Sequence, residues 1–275
     1  MTQPFQLEGI MLSADLLFDL TRFSHAGLFS DDQPVWSALQ NLKHYMNDFP
    51  YQSDLWSIVK EGVPAAKHLV LHQGRLIDAD HCHIEYGDTL RGGLVISRDG
   101  ALLEGASLIM AGAVILGSRI AIGKGVLVEG GATIKAPAII GNHTEVRQGA
   151  YLRGYCLIGD RCVVGHTTEV KHSVFLDDAK AGHFAYLGDS IIGNDANLGA
   201  GTKCANLRFI PGNVQVNYEG ELCSTGMRKF GAIIGDKTQT GCNSVTSPGT
   251  VIARGCFLMP NTTAPSGFLS DRKIG

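Results

Sequence analysis

The sequence lacks the features by which several large protein classes are identified. It contains no uninterrupted run of about 18 apolar residues, so no transmembrane helix is expected. The opening residues, MTQPFQLEGI, have neither the basic region nor the apolar region of a secretory signal. The seven cysteines are an odd number and include no CxxC pair, which argues against a disulfide framework or a zinc ribbon. We therefore expect a cytoplasmic protein with reduced thiols.

An excess of charge is also missing, whereas glycine is abundant. The formal net charge is only −3, so neither nucleic acid nor an anionic membrane is expected as a partner. Hydrophobic residues make up 44% of the chain, and 35 of the 275 residues are glycine. This composition is typical of a globular protein that packs small residues at many turns.

Aliphatic residues recur at every sixth position through the middle of the chain. A small or β-branched residue lies four positions after most of them, and Cys156, Cys162 and Cys256 fall in this small position. The period predicts a parallel β-helix in which each hexapeptide forms one side of a triangular coil. We expect the aliphatic residues to point inward and the three cysteines to be packing residues. The aliphatic series is Met110, Leu116, Ile122, Val128, Ile134, Ile140, Val146, Leu152, Ile158, Val164, Val170 and Leu176.

The period is interrupted twice. After Leu176 the next aliphatic position is occupied by Gly182, and the pattern restarts only at Ile192. The second interruption spans 207–231, where NVQVNYEGEL predicts a β-hairpin that turns at Glu219–Gly220.

The predicted organisation has four parts, and the predicted fold class is all-β. A parallel β-helix of hexapeptide repeats, with the hairpin excursion, is expected over 94–262. Its handedness does not follow from the period. The flanking parts are an N-terminal helical segment over 1–61 with an amphipathic helix at 34–48, an irregular approach over 62–93, and a short C-terminal tail over 263–275.

Three cations are spaced by 18 residues: Lys135, Arg153 and Lys171. If three hexapeptides make one coil, these side chains stand in one column, roughly 4.8 Å apart. Two interpretations remain open: the side chains splay into solvent as ordinary surface charge, or the column holds an anion such as a phosphate. In the second case His183, which follows within one coil, is a candidate general base.

Histidines at other positions do not predict a metal site. His81 and His83 lie in the irregular approach segment, which defines no coordination geometry. His166 and His172 are six residues apart, which places them on different faces of the coil rather than in one stack. No metal is expected.

The stretch from Arg153 to Asn206 carries a long motif, EVKxS…KAGHxxYLGDxxIGxxxNxGAGT. In this motif the sequence resembles the acetyltransferase domain of bifunctional bacterial N-acetylglucosamine-1-phosphate uridyltransferase/glucosamine-1-phosphate acetyltransferases. The following NLRF, the hairpin and RKFGAIIGD are more similar to archaeal-type sugar-nucleotidyltransferase relatives with a β-helix tail. The resemblance covers about 95–262, and it implies a left-handed β-helix, a homotrimer and a site between subunits.

The resemblance also implies a role for each matching residue. Arg153 and Lys171 would hold the sugar phosphate, and His183 would be the general base. On this interpretation, the break after Leu176 lifts His183 and Tyr186 out of the regular wall into an outward loop. Two family features have no counterpart in the sequence: the nucleotidyltransferase half and a C-terminal tail with a late arginine. Cys242 stands where the family has a serine. The residues expected to contact the sugar are Tyr186 and Asn197, and those expected near acetyl-CoA are Asn206, Lys229 and Cys242.

Two functions are compatible with these features. The first is N-acetylation of an amino-sugar-1-phosphate, such as glucosamine-1-phosphate, with acetyl-CoA as co-substrate and without a covalent enzyme intermediate. The second is a non-catalytic β-helix that binds sugar phosphates or acts as a scaffold for a separate nucleotidyltransferase. His183, Tyr186 and Asn197 favour the enzyme, whereas Cys242 and the missing tail favour the scaffold.

Overall fold

The computed structural model describes residues 11–275, most of which form short β-strands. The first ten residues, over which no secretory signal is predicted, lie outside the described residues. Helix α1 spans Ser37–Asp48 and begins three residues after the predicted start, because residues 34–37 form a separate turn closed by the Ser37 N–H and the Pro34 carbonyl. The 3-10 helices of the described residues are Ala14–Leu16, Ala26–Leu28, Ser53–Ile58 and Thr89–Arg91.

The strands are short, most of them two to four residues long. In chain order the first sixteen are β1 Leu69–His72, β2 Arg75–Asp78, β3 Cys82–Glu85, β4 Val95–Arg98, β5 Ala101–Leu102, β6 Ser107–Ile109, β7 Val114–Leu116, β8 Ile120–Ile122, β9 Leu127–Val128, β10 Thr133–Lys135, β11 Ala138–Ile140, β12 Glu145–Val146, β13 Tyr151–Leu152, β14 Cys156–Ile158, β15 Val163–His166 and β16 Glu169–Lys171. The others are β17 Ser173–Phe175, β18 Lys180–His183, β19 Tyr186–Gly188, β20 Ile191–Ile192, β21 Asn197–Leu198, β22 Lys203–Cys204, β23 Gln215–Tyr218, β24 Glu221–Ser224, β25 Ala232–Ile234, β26 Gln239–Thr240, β27 Val245–Thr246, β28 Thr250–Ile252, β29 Phe257–Leu258, β30 Thr263–Ala264, β31 Gly267–Leu269 and β32 Lys273–Ile274.

Most strands stack into three sheets that form the faces of a triangular solenoid. Face 1 has the strand order β2-β1-β6-β9-β12-β15-β18-β21-β26-β29-β32, and its strands pair in parallel from β6 onward. Face 2 has the order β30-β27-β22-β19-β16-β13-β10-β7, and face 3 the order β31-β28-β25-β20-β17-β14-β11-β8. The chain runs from face 1 to face 2 to face 3 in every coil. The β-helix predicted from the period is confirmed, in the left-handed class that the resemblance implied.

The inward ladder follows the predicted series from Ile122 to Val170 and departs from it at both ends. At the start, the core positions are taken by Ile109 and Ile115, one residue before the predicted members. At the end, Phe175 is in the solenoid core, whereas the predicted Leu176 packs outside it. Neighbouring aliphatic residues make these positions indistinguishable to a simple count of six.

The expected outward loop around His183 is wrong. Strands β18 and β19, which contain His183 and Tyr186, continue faces 1 and 2 without a break. Register on face 3 pairs Ile140 with Ile158, eighteen residues on, but Ile158 with Phe175, seventeen residues on. One residue is therefore missing from the corner that follows Lys171. When residues are counted by six, this deletion gives an apparent break in the aliphatic pattern.

Two segments contain more strand than the sequence indicated. The approach segment 62–93 contains the hairpin β1–β2, which turns at Gln73–Gly74 with both residues at positive φ, and strand β3. Strand β1 pairs antiparallel with β6 and extends face 1 at its first coil. At the other end, β30, β31 and β32 extend all three faces into the predicted tail, 263–275. These strands are too short or too irregularly spaced to give a periodic signal.

The N-terminal segment covers the outer surface of face 3. The outward positions of this face are apolar, and they pack against helix α1 and the residues before it. Val214 and Val216, at the start of the hairpin β23–β24, belong to the same cluster. Face 3 is thus shielded by its own chain, which leaves faces 1 and 2 as the faces open to ligands. The outward residues are Ile139, Leu157, Val174, Ile191, Ile233 and Val251.

The cysteines expected to be packing residues, Cys156, Cys162 and Cys256, are buried in the solenoid core. Burial raises the pKa of the Cys156 thiol to about 12 and that of Cys204 to about 11. Both side chains therefore stay protonated and unreactive at neutral pH.

We expect Ellman's reagent to label Cys242 first, because this thiol is exposed whereas Cys156, Cys162, Cys204 and Cys256 are buried. The four buried thiols should react only after unfolding in guanidinium chloride. The variant Cys242→Ser should lose the fastest phase of labelling, measured by absorbance of the released thiolate. A fast phase of unchanged amplitude in that variant would show that a different thiol is accessible.

Among residues 11–275, no helix is both long and apolar enough to cross a membrane.

Candidate functional site

The predicted site residues lie on two faces and two corners of the solenoid. The 2–3 corner, where face 2 passes into face 3, carries Arg153, Lys171 and Asn206, with Lys229 beside it. The 1–2 corner carries His183 and Cys242. Tyr186 lies on face 2 and Asn197 on face 1.

The buried carboxylate of Asp189 organises the 2–3 corner. Lys171 Nζ lies 3.1 and 3.0 Å from the two carboxylate oxygens, and His172 Nδ1 lies 2.9 Å from Oδ1. Asn206 Nδ2 donates to Oδ2 at 2.5 Å. Only 4% of the Asp189 surface is exposed. Burial alone would raise the pKa of Asp189, but the hydrogen bonds from His172 and Lys171 outweigh it and lower that pKa below 3.8.

The shortened corner is what brings these groups together. In the preceding coil Gly154 and Tyr155 separate face 2 from face 3, whereas His172 alone does so in the next. His172 and Asp189 therefore occupy equivalent corner positions one coil apart. Gly188 is required here, because a Cβ atom would lie 2.5 Å from Asn206 Nδ2 and 2.6 Å from the Tyr186 hydroxyl.

Two of the three cations in the column are paired with carboxylates, whereas Lys135 is exposed and has no carboxylate within 4.0 Å among residues 11–275. Arg153 Nη1 lies 2.5 Å from Glu169 Oε1, and Lys171 bonds to Asp189. Carboxylates of the next coils thus offset the repulsion between stacked cations. Lys135, the first member of the column, does not line the cleft described next.

A cleft of about 540 Å³ opens at the 2–3 corner. Its walls are the corner itself, helix α1 and the segment that follows the hairpin. Arg153, Lys171 and Lys229 line it, as do the unpredicted residues His172 and Asp189. His183, Asn197 and Cys242 do not.

His183 lies at the 1–2 corner, at the opposite edge of face 2. Its ring stacks on that of His166 with a centroid distance of 5.8 Å and an interplanar angle of 23°. The centroid of the Phe184 ring lies 6.0 Å from that of His183. The two histidines pair in register between β15 and β18. The His183 side chain is exposed, so an imidazole nitrogen is open to a ligand.

Cys242 belongs to the same corner column as His183. The Gly201 N–H donates to the His183 carbonyl at 3.0 Å, and the Asn243 N–H donates to the Ala200 carbonyl at 2.8 Å. Cys242 is therefore two coils beyond His183, roughly 10 Å along the solenoid axis. Cys242, which the resemblance places near acetyl-CoA, thus lies in line with the candidate base His183 along the solenoid axis.

A single chain gathers five of the eight predicted residues and leaves three apart. Tyr186 lies close to the corner group, because its hydroxyl is near the Asn206 side chain. Burial raises the pKa of the Tyr186 phenol, and the carboxylates of Glu169 and Asp189 add to this increase. His183 is separated from the cleft by the width of face 2, at most ~17 Å for five residues. Asn197 is exposed on face 1, in register with Lys180 and Gln239.

Sequence reasoning missed His172 and Asp189 as a pair. Their spacing of seventeen residues stacks them only because the coil is one residue short. Asp189 lies within the long motif of 153–206, but nothing in that motif pairs it with His172. Among the residues that the structure describes, no three His, Cys, Asp or Glu side chains are grouped in a way that could hold a metal ion.

Comparison with known proteins identifies relatives for part of the chain. Residues 134–228 match the family model described as the GMPPB C-terminal domain. The chain is 41% identical over 103 residues to the bifunctional sugar-1-phosphate nucleotidylyltransferase/acetyltransferase of Sulfurisphaera tokodaii, which covers 38% of this chain and 24% of the relative. It is 39% identical over 89 residues to the bifunctional protein GlmU of Methanococcus vannielii, covering 32% and 21% respectively.

A longer match extends over more of the solenoid. The bifunctional protein GlmU of Wigglesworthia glossinidia brevipalpis is 28% identical over 209 residues, which covers 70% of this chain and 43% of the relative. The chain thus spans about a quarter of the length of the first two relatives and less than half of the third. The matched region is similar to bifunctional sugar-1-phosphate nucleotidylyltransferase/acetyltransferase proteins, as the sequence motif predicted.

Proposed function

We propose that the chain is an acetyl-CoA-dependent N-acetyltransferase that acts on an amino-sugar-1-phosphate. One observation carries the proposal: face 2 has a cationic corner at one edge and the exposed His183 at the other, with Tyr186 between them. His183 is separated from this corner by the width of the face, so a compact acceptor would meet the cationic corner of one chain and His183 of a neighbouring chain. The name of the Sulfurisphaera tokodaii relative includes acetyltransferase, which supports the reaction class.

Arg153 and Lys171 are the groups that we assign to the sugar phosphate. Both already take part in charge-assisted hydrogen bonds with carboxylates, and a guanidinium or ammonium group has further donors available for phosphate oxygens. Asn206 and Lys229, which the resemblance assigned to acetyl-CoA, lie at the same corner and supply further polar groups there. The phosphate is thus held at the 2–3 corner, and the amino group is left free to reach His183 of a neighbouring chain.

His183 is the group that we assign to proton transfer. The amino nitrogen attacks the thioester carbonyl, so the C–N bond forms and the C–S bond breaks. His183 accepts the proton that the amine loses, and this proton then passes to the departing sulfur of CoA, which leaves as the thiol. No covalent enzyme intermediate is needed, and Cys242, as an exposed thiol in the same column, would contact acetyl-CoA rather than act as nucleophile.

We propose a homotrimer in which neighbouring chains complete the site. His183, Asn197 and Cys242 are apart from the cleft within one chain, so a second chain is needed to enclose an acceptor and a donor together. Face 3 is covered by its own N-terminal segment, and assembly would therefore use faces 1 and 2. Phe184, 58% exposed at the corner between these faces, is an apolar group that such a contact would bury.

The test is acetylation of glucosamine-1-phosphate by acetyl-CoA, with the product measured by mass spectrometry because Cys242 would react with thiol reagents. We expect turnover with this acceptor, none with glucose-1-phosphate, which has no amine, and much less with glucosamine, which has no phosphate. Binding of glucosamine-1-phosphate without any acetylated product would overturn the enzyme assignment and favour the scaffold function.

A further inference from the structure

The cleft at the 2–3 corner contains more positive charge than a sugar monophosphate requires. Five cations line it, and Asp189 is the one acidic residue of the lining. Asp189 pairs with Lys171, and Glu169, outside the lining, pairs with Arg153. Among residues 11–275, no carboxylate lies within 4.0 Å of the other three cations. The five cations are Lys43, Arg153, Lys171, Arg228 and Lys229.

The three unpaired cations come from outside the regular coils. Lys43 is on helix α1, and Arg228 and Lys229 follow the hairpin β23–β24. They line the same cleft as the paired cations Arg153 and Lys171. Cations that reach one cleft from several segments of the chain suit a ligand with two linked phosphates better than one with a single phosphate.

The walls of the cleft are fixed to each other in the free protein. Gln40 Nε2 on helix α1 donates to the Thr225 carbonyl at 2.7 Å, which joins the helix to the segment after the hairpin. Arg119, at the 2–3 corner of an earlier coil, donates to Asn47 Oδ1 on the same helix at 2.7 Å. The segments that carry Lys43, Arg228 and Lys229 are therefore fixed before a ligand arrives, which lowers the entropic cost of binding.

The cleft also has a surface for a planar, apolar group. The Tyr155 ring forms part of its wall, and Lys43 Nζ lies 5.6 Å from the centroid of that ring. Leu39 and Met227 add apolar area on the other walls. Aromatic faces with a nearby cation are common stacking platforms for nucleobases. The volume, about 540 Å³, is also sufficient for a ligand larger than a monosaccharide phosphate.

We infer that the cleft is a binding site for a nucleoside diphosphate group, as found in a nucleoside-diphosphate sugar. The two phosphates are held by Arg153 and Lys171 of the corner together with the three unpaired cations of the lining. The base stacks on Tyr155. This assignment shares Arg153 and Lys171 with the proposed function and extends its ligand class, but it does not require acetyl transfer.

The test is isothermal titration calorimetry of the whole chain with UDP, UMP, GDP and GMP at one fixed salt concentration. We expect at least one diphosphate to bind more than tenfold tighter than its monophosphate. Lys43→Ala should lower the affinity for that diphosphate about tenfold, as for a lost charged hydrogen bond, and should change monophosphate binding much less. Lys60→Ala, an exposed lysine of the same N-terminal segment, is the matched control and should change neither.

A second variant tests the base. Tyr155→Leu should reduce the affinity for the nucleoside diphosphate but not for inorganic pyrophosphate, because only the former stacks on the ring. Equal affinities for diphosphates and monophosphates, or diphosphate binding that is insensitive to Lys43→Ala, would overturn the inference. Acetylation of glucosamine-1-phosphate without any diphosphate preference overturns this inference alone, whereas diphosphate binding without acetylation overturns the proposed function alone.

Discussion

Replacing His183 by alanine is expected to lower kcat for acetylation by about 10²–10⁴-fold, the usual contribution of a positioned general base. KM for the sugar phosphate should change little, because the phosphate is held at the opposite edge of face 2. The fold should be retained, since the His183 side chain is exposed. Steady-state kinetics together with an unfolding curve measure these quantities.

Two variants separate proton transfer from packing at this corner. His44→Ala removes an exposed histidine on helix α1 and should leave both kcat and KM unchanged. His166→Ala removes the ring on which His183 stacks, so it should lower kcat less than His183→Ala does. Acetylation at the wild-type rate by the His183 variant would show that another group accepts the proton.

Replacing Asp189 by alanine is expected to reduce the free energy of unfolding by about 3 kcal/mol, since it leaves the Lys171 ammonium without its partner in a largely buried corner. His172 and Asn206 lose an acceptor at the same time. Denaturant unfolding followed by circular dichroism measures the change. Glu104→Ala, which removes an exposed carboxylate of the first coil, is the control and should have an effect within about 0.5 kcal/mol of zero.

The decrease in the free energy of unfolding caused by Asp189→Ala should depend on pH in a defined direction. The pKa of Asp189 is lower in the folded chain than its ordinary value of 3.8, so its contribution is fully present above that value. The contribution is lost as the pH falls through the folded pKa. The difference between wild type and variant should therefore be largest near neutral pH and shrink in acid. A difference that stays constant down to pH 2 would contradict the assigned role of the carboxylate.

The solenoid could be predicted from the sequence because its signal is repeated in every coil. Each aliphatic position from Ile122 to Val170 gave the same indication, so chance errors at single positions did not matter. The position of His183 could not be predicted in the same way. It depends on one missing residue after Lys171, and a single deletion has no repetition to support it.

The cationic cleft could be predicted only in part. The spacing of Arg153 and Lys171 indicated a column, but their carboxylate partners, Glu169 and Asp189, follow from the register between coils. The helical pattern around Leu39 and Leu42 predicted an amphipathic helix. That this helix packs on face 3, and so places Lys43 in the cleft, depends on tertiary packing that the local pattern does not contain.

The single-residue deletion at the 2–3 corner has a consequence for how such a protein can change. In most folds the loss of one residue from a strand reverses the orientation of every side chain that follows. Here the corner absorbs the loss, and faces 1 and 2 resume their pairing within the same coil. Length variation at corners can therefore create a new cluster of polar groups while the core remains intact. In a solenoid, insertions and deletions can thus create new binding sites, as substitutions can.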